Sequence, residues 1–70
     1  MTTVLDLERR IEESASLLRM IKDRAVRLEQ TGLPEGDREA QVAWRWYSAE
    51  ERKLRALRAA LTTMRKRDDR

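Results

Sequence analysis

The sequence predicts an all-α fold, an antiparallel two-helix hairpin, and three observations carry that expectation. Two long stretches, residues 4–28 and 40–64, repeat apolar residues on a seven-residue pattern. Only one stretch between them, Leu33-Pro34-Glu35-Gly36-Asp37, is rich in turn formers. A connection this short makes its two helices antiparallel neighbours. The two seams then meet in one register, with facing residue numbers adding to 68: Val4 with Met64, Leu7 with Leu61, Ile11 with Leu57, Ser14 with Leu54, Leu18 with Glu50, Ile21 with Tyr47, Ala25 with Ala43, Leu28 with Ala40.

Helix 1 is expected over residues 3–30. Thr3 followed by Asp6 is a capping-box-like start, with Thr3 as N-cap. The seam that follows is broken only by one small polar member, Ser14. Gly32 stands where a left-handed residue ends a helix, Leu33 can fold back onto Leu28, and Pro34 blocks continuation. The turn is placed at residues 31–37. Asp37 is a good N-cap for helix 2, expected over residues 38–66, although Pro34 at a first helical position would start it earlier. The one charged seam residue, Glu50, is expected to meet a nearby Arg or to reach solvent at the bundle edge. Residues 67–70 should fray. Residues 1–70 form a single domain.

A domain of this size buries only about 60% of its unfolded surface and is marginal alone. Cys and His are both absent, which removes disulfides and the common zinc sites. Self-association is therefore the expected reinforcement. Off the seams, helix 1 carries Leu5, Leu17, Met20 and Val26. Helix 2 carries a second stripe of Val42, Trp46, Ala49, Ala56, Ala60 and Thr63, interrupted by Lys53. One hairpin cannot cover both. A homodimeric four-helix bundle would, with Leu17, Met20, Val42, Trp46, Ala49, Ala56 and Ala60 in the dimer interface.

Binding rather than catalysis is the expected activity. There is no Gly-rich phosphate loop, and Ser14, Ser16 and Ser48 have no general base beside them in sequence. Adjacent acids at Glu12-Glu13, Glu50-Glu51 and Asp68-Asp69 point about 100° apart around a helix and do not converge. No cofactor and no metal are expected. Nothing resembles a signal peptide and no apolar run approaches the roughly 20 residues that span a bilayer, so the expected location is cytoplasmic, with no membrane partner.

The aromatic residues are more informative, because all three stand in one helical turn, Trp44-Arg45-Trp46-Tyr47. Trp, Tyr and Arg dominate protein–protein contacts, each bringing large area and a polar handle. The two tryptophans lie about 200° apart around the helix and face different ways. Trp46 shares the small-residue stripe and is expected between protomers. Trp44 is expected to be partly exposed, over the shallow region left by Ala25, Ala40 and Ala43. Tyr47 lies on the seam with its hydroxyl outward. Trp44, Arg45, Arg38, Gln41 and Tyr47 make the expected partner-binding patch.

Charge is unevenly spread beneath a net +3: residues 1–30 hold six acidic and six basic side chains, whereas residues 52–70 hold eight basic against two acidic. A positive pole attracts phosphates and acidic proteins alike. The alternative to a protein partner is nucleic acid, tracked by Arg45, Arg52, Lys53, Arg55 and Arg58.

Over nearly the whole chain the architecture resembles the Rop-type plasmid RNA-binding dimers, a likeness of topology without a shared motif. That resemblance implies a four-helix dimer and RNA binding, carried in that family by helix 1, which is charge-neutral here. In size, lack of Cys and richness in Arg the chain is also similar to early phage proteins that disable bacterial regulators, the phage anti-activators of quorum sensing among them. This second resemblance implies a dimer that occupies a functional surface of a host transcription factor or motor ATPase. The expected function is thus a small regulator that binds and inhibits another protein in the cytoplasm of a bacterial host.

Overall fold

The computed structural model describes residues 3–68. They form two helices, α1 (Val4–Gln30) and α2 (Pro34–Asp68), joined by a three-residue link and packed along each other as a hairpin. No strand occurs among the described residues. The molecule is a rod of 56 × 17 × 14 Å, as α2 alone dictates, since 35 residues at 1.5 Å each span about 52 Å.

Burial follows the heptad seams. Leu7, Ser14, Leu18 and Ala25 are buried on α1, with Val4, Ile11, Ile21 and Leu28 half-buried between them. On α2, Ala40, Ala43 and Leu54 are buried, and Tyr47, Glu50, Leu57, Leu61 and Met64 are half-buried. Three cross-helix contacts, Ser14 with Glu50, Glu8 with Arg65 and Glu29 with Trp44, fall on either side of the register read from the seams. Burial is most complete near the link, where Ala25 is 0% exposed and Ala40 only 2%.

The start of α1 is a capping box. The Asp6 N–H donates to Thr3 Oγ1 at 3.2 Å and the Thr3 N–H donates to Asp6 Oδ2 at 3.3 Å. The backbone hydrogen bond from Thr3 holds the Asp6 carboxyl below its ordinary pKa, helped by the Thr3 side chain and by the charges of Arg9 and Arg10 against slight desolvation. At the other end Gly32 takes φ +70°, the left-handed position expected of it.

The start of α2 differs from the expectation. It begins at Pro34, so residues 34–37 are a helical turn rather than part of the link. Proline suits a first helical position because its fixed φ is already helical and no N–H is left without a partner. The Asp37 N–H donates to Leu33 O at 3.1 Å, which makes Leu33 the capping residue and places Asp37 within the first turn. With Glu35 it lies at the positive end of the helix dipole. Leu33 does not fold back onto Leu28 as a buried contact; it stays exposed. Thr31 closes the link instead, its hydroxyl donating to Leu28 O at 2.8 Å and accepting from the Leu33 N–H at 3.3 Å. At its far end α2 continues to Asp68, past the expected stop at residue 66. Asp69 and Arg70, the last of the residues expected to fray, lie outside the described residues.

Candidate functional site

Hairpin packing consumes one stripe of each helix and leaves two broad faces of different chemistry. With the seams as heptad positions a and d, Leu17, Trp46, Lys53 and Ala60 take position g, and Met20, Val42, Ala49 and Ala56 take position c. Antiparallel packing turns the g positions of both helices to one side. An open groove of about 430 Å³ forms there, lined by Leu17, Met20, Ile21, Arg24, Trp46, Ala49 and Glu50. Trp46 is 67% exposed and Met20 68%. Within one chain, therefore, Trp46 is not buried. Val42, Ala56 and Ala60 are exposed on the same stripe. Leu5 and Val26, grouped with these residues by sequence, take position b and do not line the groove.

Beside the groove lies a polar node on the seam. Ser14, 3% exposed, donates its hydroxyl to Glu50 Oε1 at 2.7 Å, and Lys53 Nζ stands 4.0 Å from the same oxygen. Glu50 thus meets a serine and a lysine where an arginine was one of the expected partners. Its pairing with Ser14 runs diagonally, one turn from the level assigned by the register. Arg10 and Glu13 line the adjacent cavity of about 370 Å³ with these three residues.

The opposite face holds Trp44. Its Nε1–H donates to Glu29 Oε1 on α1, and its ring meets Tyr47 edge-on, with centroids 5.4 Å apart and planes at 75°. Trp44 is half-buried and ties the two helices together. Gln41, Trp44, Arg45 and Ser48 line one open depression of about 330 Å³. Of the expected patch, Gln41, Trp44 and Arg45 come together there. Tyr47 does not line it, because it faces the seam. Arg38, exposed, stands one heptad before Arg45, and Arg52 one heptad after; residues seven apart lie within about 20° around a helix. These three make no ion pair among the described residues.

The five residues considered for nucleic acid do not share a face. Lys53 and Arg58 lie about 140° apart around the helix. Arg55 pairs with Glu51 at 2.6 Å and Lys53 belongs to the Glu50 node. Only Arg45 and Arg52 stay on the ridge with Arg38. Glu29, Ser48 and the Ser14–Glu50 bond were not singled out as site features from the sequence. A signal existed for two of them: Ser48 follows Gln41 by one heptad, and Ser14 and Glu50 are the only polar members of otherwise apolar or aromatic seams.

Among the described residues no group of His, Cys, Asp and Glu is arranged to hold a metal, and no helix is long and apolar enough to cross a membrane. No protein-family model, curated protein or solved structure matches the chain.

Proposed function

We propose that this chain is a non-enzymatic regulatory module that binds an acidic surface of another protein and modulates it by occupying that surface. The observation that carries this reading is the row of Arg38, Arg45 and Arg52 beside the Gln41–Trp44–Ser48 depression, exposed on the face that hairpin packing does not use. Arginine's planar fork pairs with carboxylates two bonds at a time, so it loses less side-chain freedom per hydrogen bond than lysine would. The Trp44 ring, fixed by Glu29 and Tyr47, offers a preorganised apolar edge next to those charges. A regulator acting on a bacterial transcription factor, as the resemblance to phage inhibitors implies, would work in this way.

The test is capture from bacterial lysate by the wild-type chain and by the triple variant Arg38→Glu, Arg45→Glu, Arg52→Glu, each with and without nuclease. The reading predicts a protein captured by the wild type, lost with the variant and indifferent to nuclease. Capture that nuclease abolishes and that falls steeply with salt would assign the row to a phosphate backbone instead. Capture unchanged by the triple variant would remove the arginine row from the site.

A further inference from the structure

The chain exposes more surface than a monomer of its mass should. For 8.3 kDa the scaling of folded monomers gives about 4,600 Å², whereas this chain exposes 5996 Å². The excess is about 1,400 Å², and its cause is shape. The radius of gyration is 16.0 Å where a compact chain of this length has about 11 Å. Two helices side by side cannot enclose a core, and no large side chain among the described residues is fully buried.

We propose that a second copy of this chain covers the groove face, seating on Leu17, Met20, Trp46 and Ala49 to complete a four-helix bundle. The area fits. Obligate homodimers remove roughly 1,000–2,500 Å² from each chain, which brackets the excess exposed here. The charges also fit a copy of the same face. Arg10, Arg24 and Lys53 stand with Glu13 and Glu50 around the apolar patch, so this face holds both signs in near balance. A twofold axis can set each sign against the other, as an isologous contact requires. The opposite face, with its arginine row, would repel its own copy. Small side chains at Ala49, Ala56 and Ala60 let a facing helix come close, and Trp46 supplies the large central anchor such contacts use. This inference does not rest on the arginine-face reading, and either can fail alone.

Sedimentation equilibrium of the full chain at micromolar concentration, read beside circular dichroism, tests it. The wild type should sediment at twice its 8.3 kDa mass. Met20→Glu and Trp46→Glu should each halve that mass. Leu5→Glu and Val26→Glu, the same change at exposed apolar positions off the groove, should keep it doubled with full helicity. If the groove variants unfold as they dissociate, a Trp44→Phe chain keeps the test open, since Trp46 is then the sole indole. Its emission should be that of a buried indole at micromolar concentration and move to the red on dilution. A wild type that sediments as a monomer, with water-exposed Trp46 emission in the Trp44→Phe chain, overturns the proposal. So does a doubled mass that survives both groove substitutions, which would put the contact on another face. Emission from Trp46 that becomes buried only when a different protein is added would give the groove to that protein and overturn it equally.

Discussion

At the scale of single residues, Gly36 and the Ser14–Glu50 pair show where spacing decides the outcome. Glycine inside a helix normally costs about 1 kcal/mol against alanine. Here a Cβ on Gly36 would stand 2.5 Å from the Leu28 carbonyl oxygen and closer still to Thr31 Oγ1. A hydroxyl can rotate away, but the carbonyl is held by α1 and cannot. Gly36→Ala should therefore destabilise the hairpin by about 1–3 kcal/mol, against its helix propensity, as thermal melts would show. Ser14→Ala should cost a similar amount, about 1.5–3 kcal/mol, because it leaves the Glu50 carboxylate with only a distant Lys53. Adding Glu50→Leu to Ser14→Ala should restore most of that loss, since exchanging both partners for apolar groups removes the desolvated charge. A double variant no better than Ser14→Ala would mean that the bond is not the reason for the loss. The polar seam members are visible in the sequence, but their bond is not. Pairing by level sets Ser14 against Leu54, and only side-chain direction reveals the diagonal.

At the scale of elements, both helices declare their period and one declares its ends. Thr3 and Asp6 start α1 by a local rule, complete within four residues, so that end is legible without tertiary context. The start of α2 is not. Pro34 and Asp37 are both good first residues, and the choice falls to the link, where Thr31 bonds to Leu28 and Gly36 packs against them. The capping box predicts a pH effect with a definite sign. The Asp6 carboxyl titrates lower in the folded chain than in the unfolded one. Its contribution is therefore fully present above the unfolded value and is lost as pH falls through the folded one, beginning near about pH 4. Helicity in acid should fall less steeply in Asp6→Asn than in the wild type, and the two should differ most at neutral pH, where the wild type is more helical. Equal acid slopes by circular dichroism would deny Asp6 this role.

At the scale of the whole molecule, the hairpin sets its two tryptophans in different surroundings, one bonded across the helices and the other exposed at the groove. Periodicity alone shows that they face different ways, but it cannot show which side closes within the chain. That depends on Glu29 reaching Trp44 across the helix pair, while Trp46 stays 67% exposed at the groove. The apolar groove face and the arginine face also respond to different conditions. Contact made through the groove, apolar at its centre, should weaken less with moderate salt than partner binding through the exposed arginines, which rests on charge. Titrating salt while following mass and partner capture separately would show the shallower fall for mass and the steeper for capture.

The most direct measurement of this division is a set of thermal melts at several protein concentrations for wild type, Trp44→Ala and Trp46→Ala. An assembly melts higher as its concentration rises. Trp44→Ala should lower the melting point at every concentration, by about 2 kcal/mol of stability for a half-buried indole, and keep the concentration dependence. Trp46→Ala should abolish the concentration dependence. Melts in which Trp44→Ala abolishes the concentration dependence and Trp46→Ala keeps it, or in which neither substitution changes anything, would contradict the account.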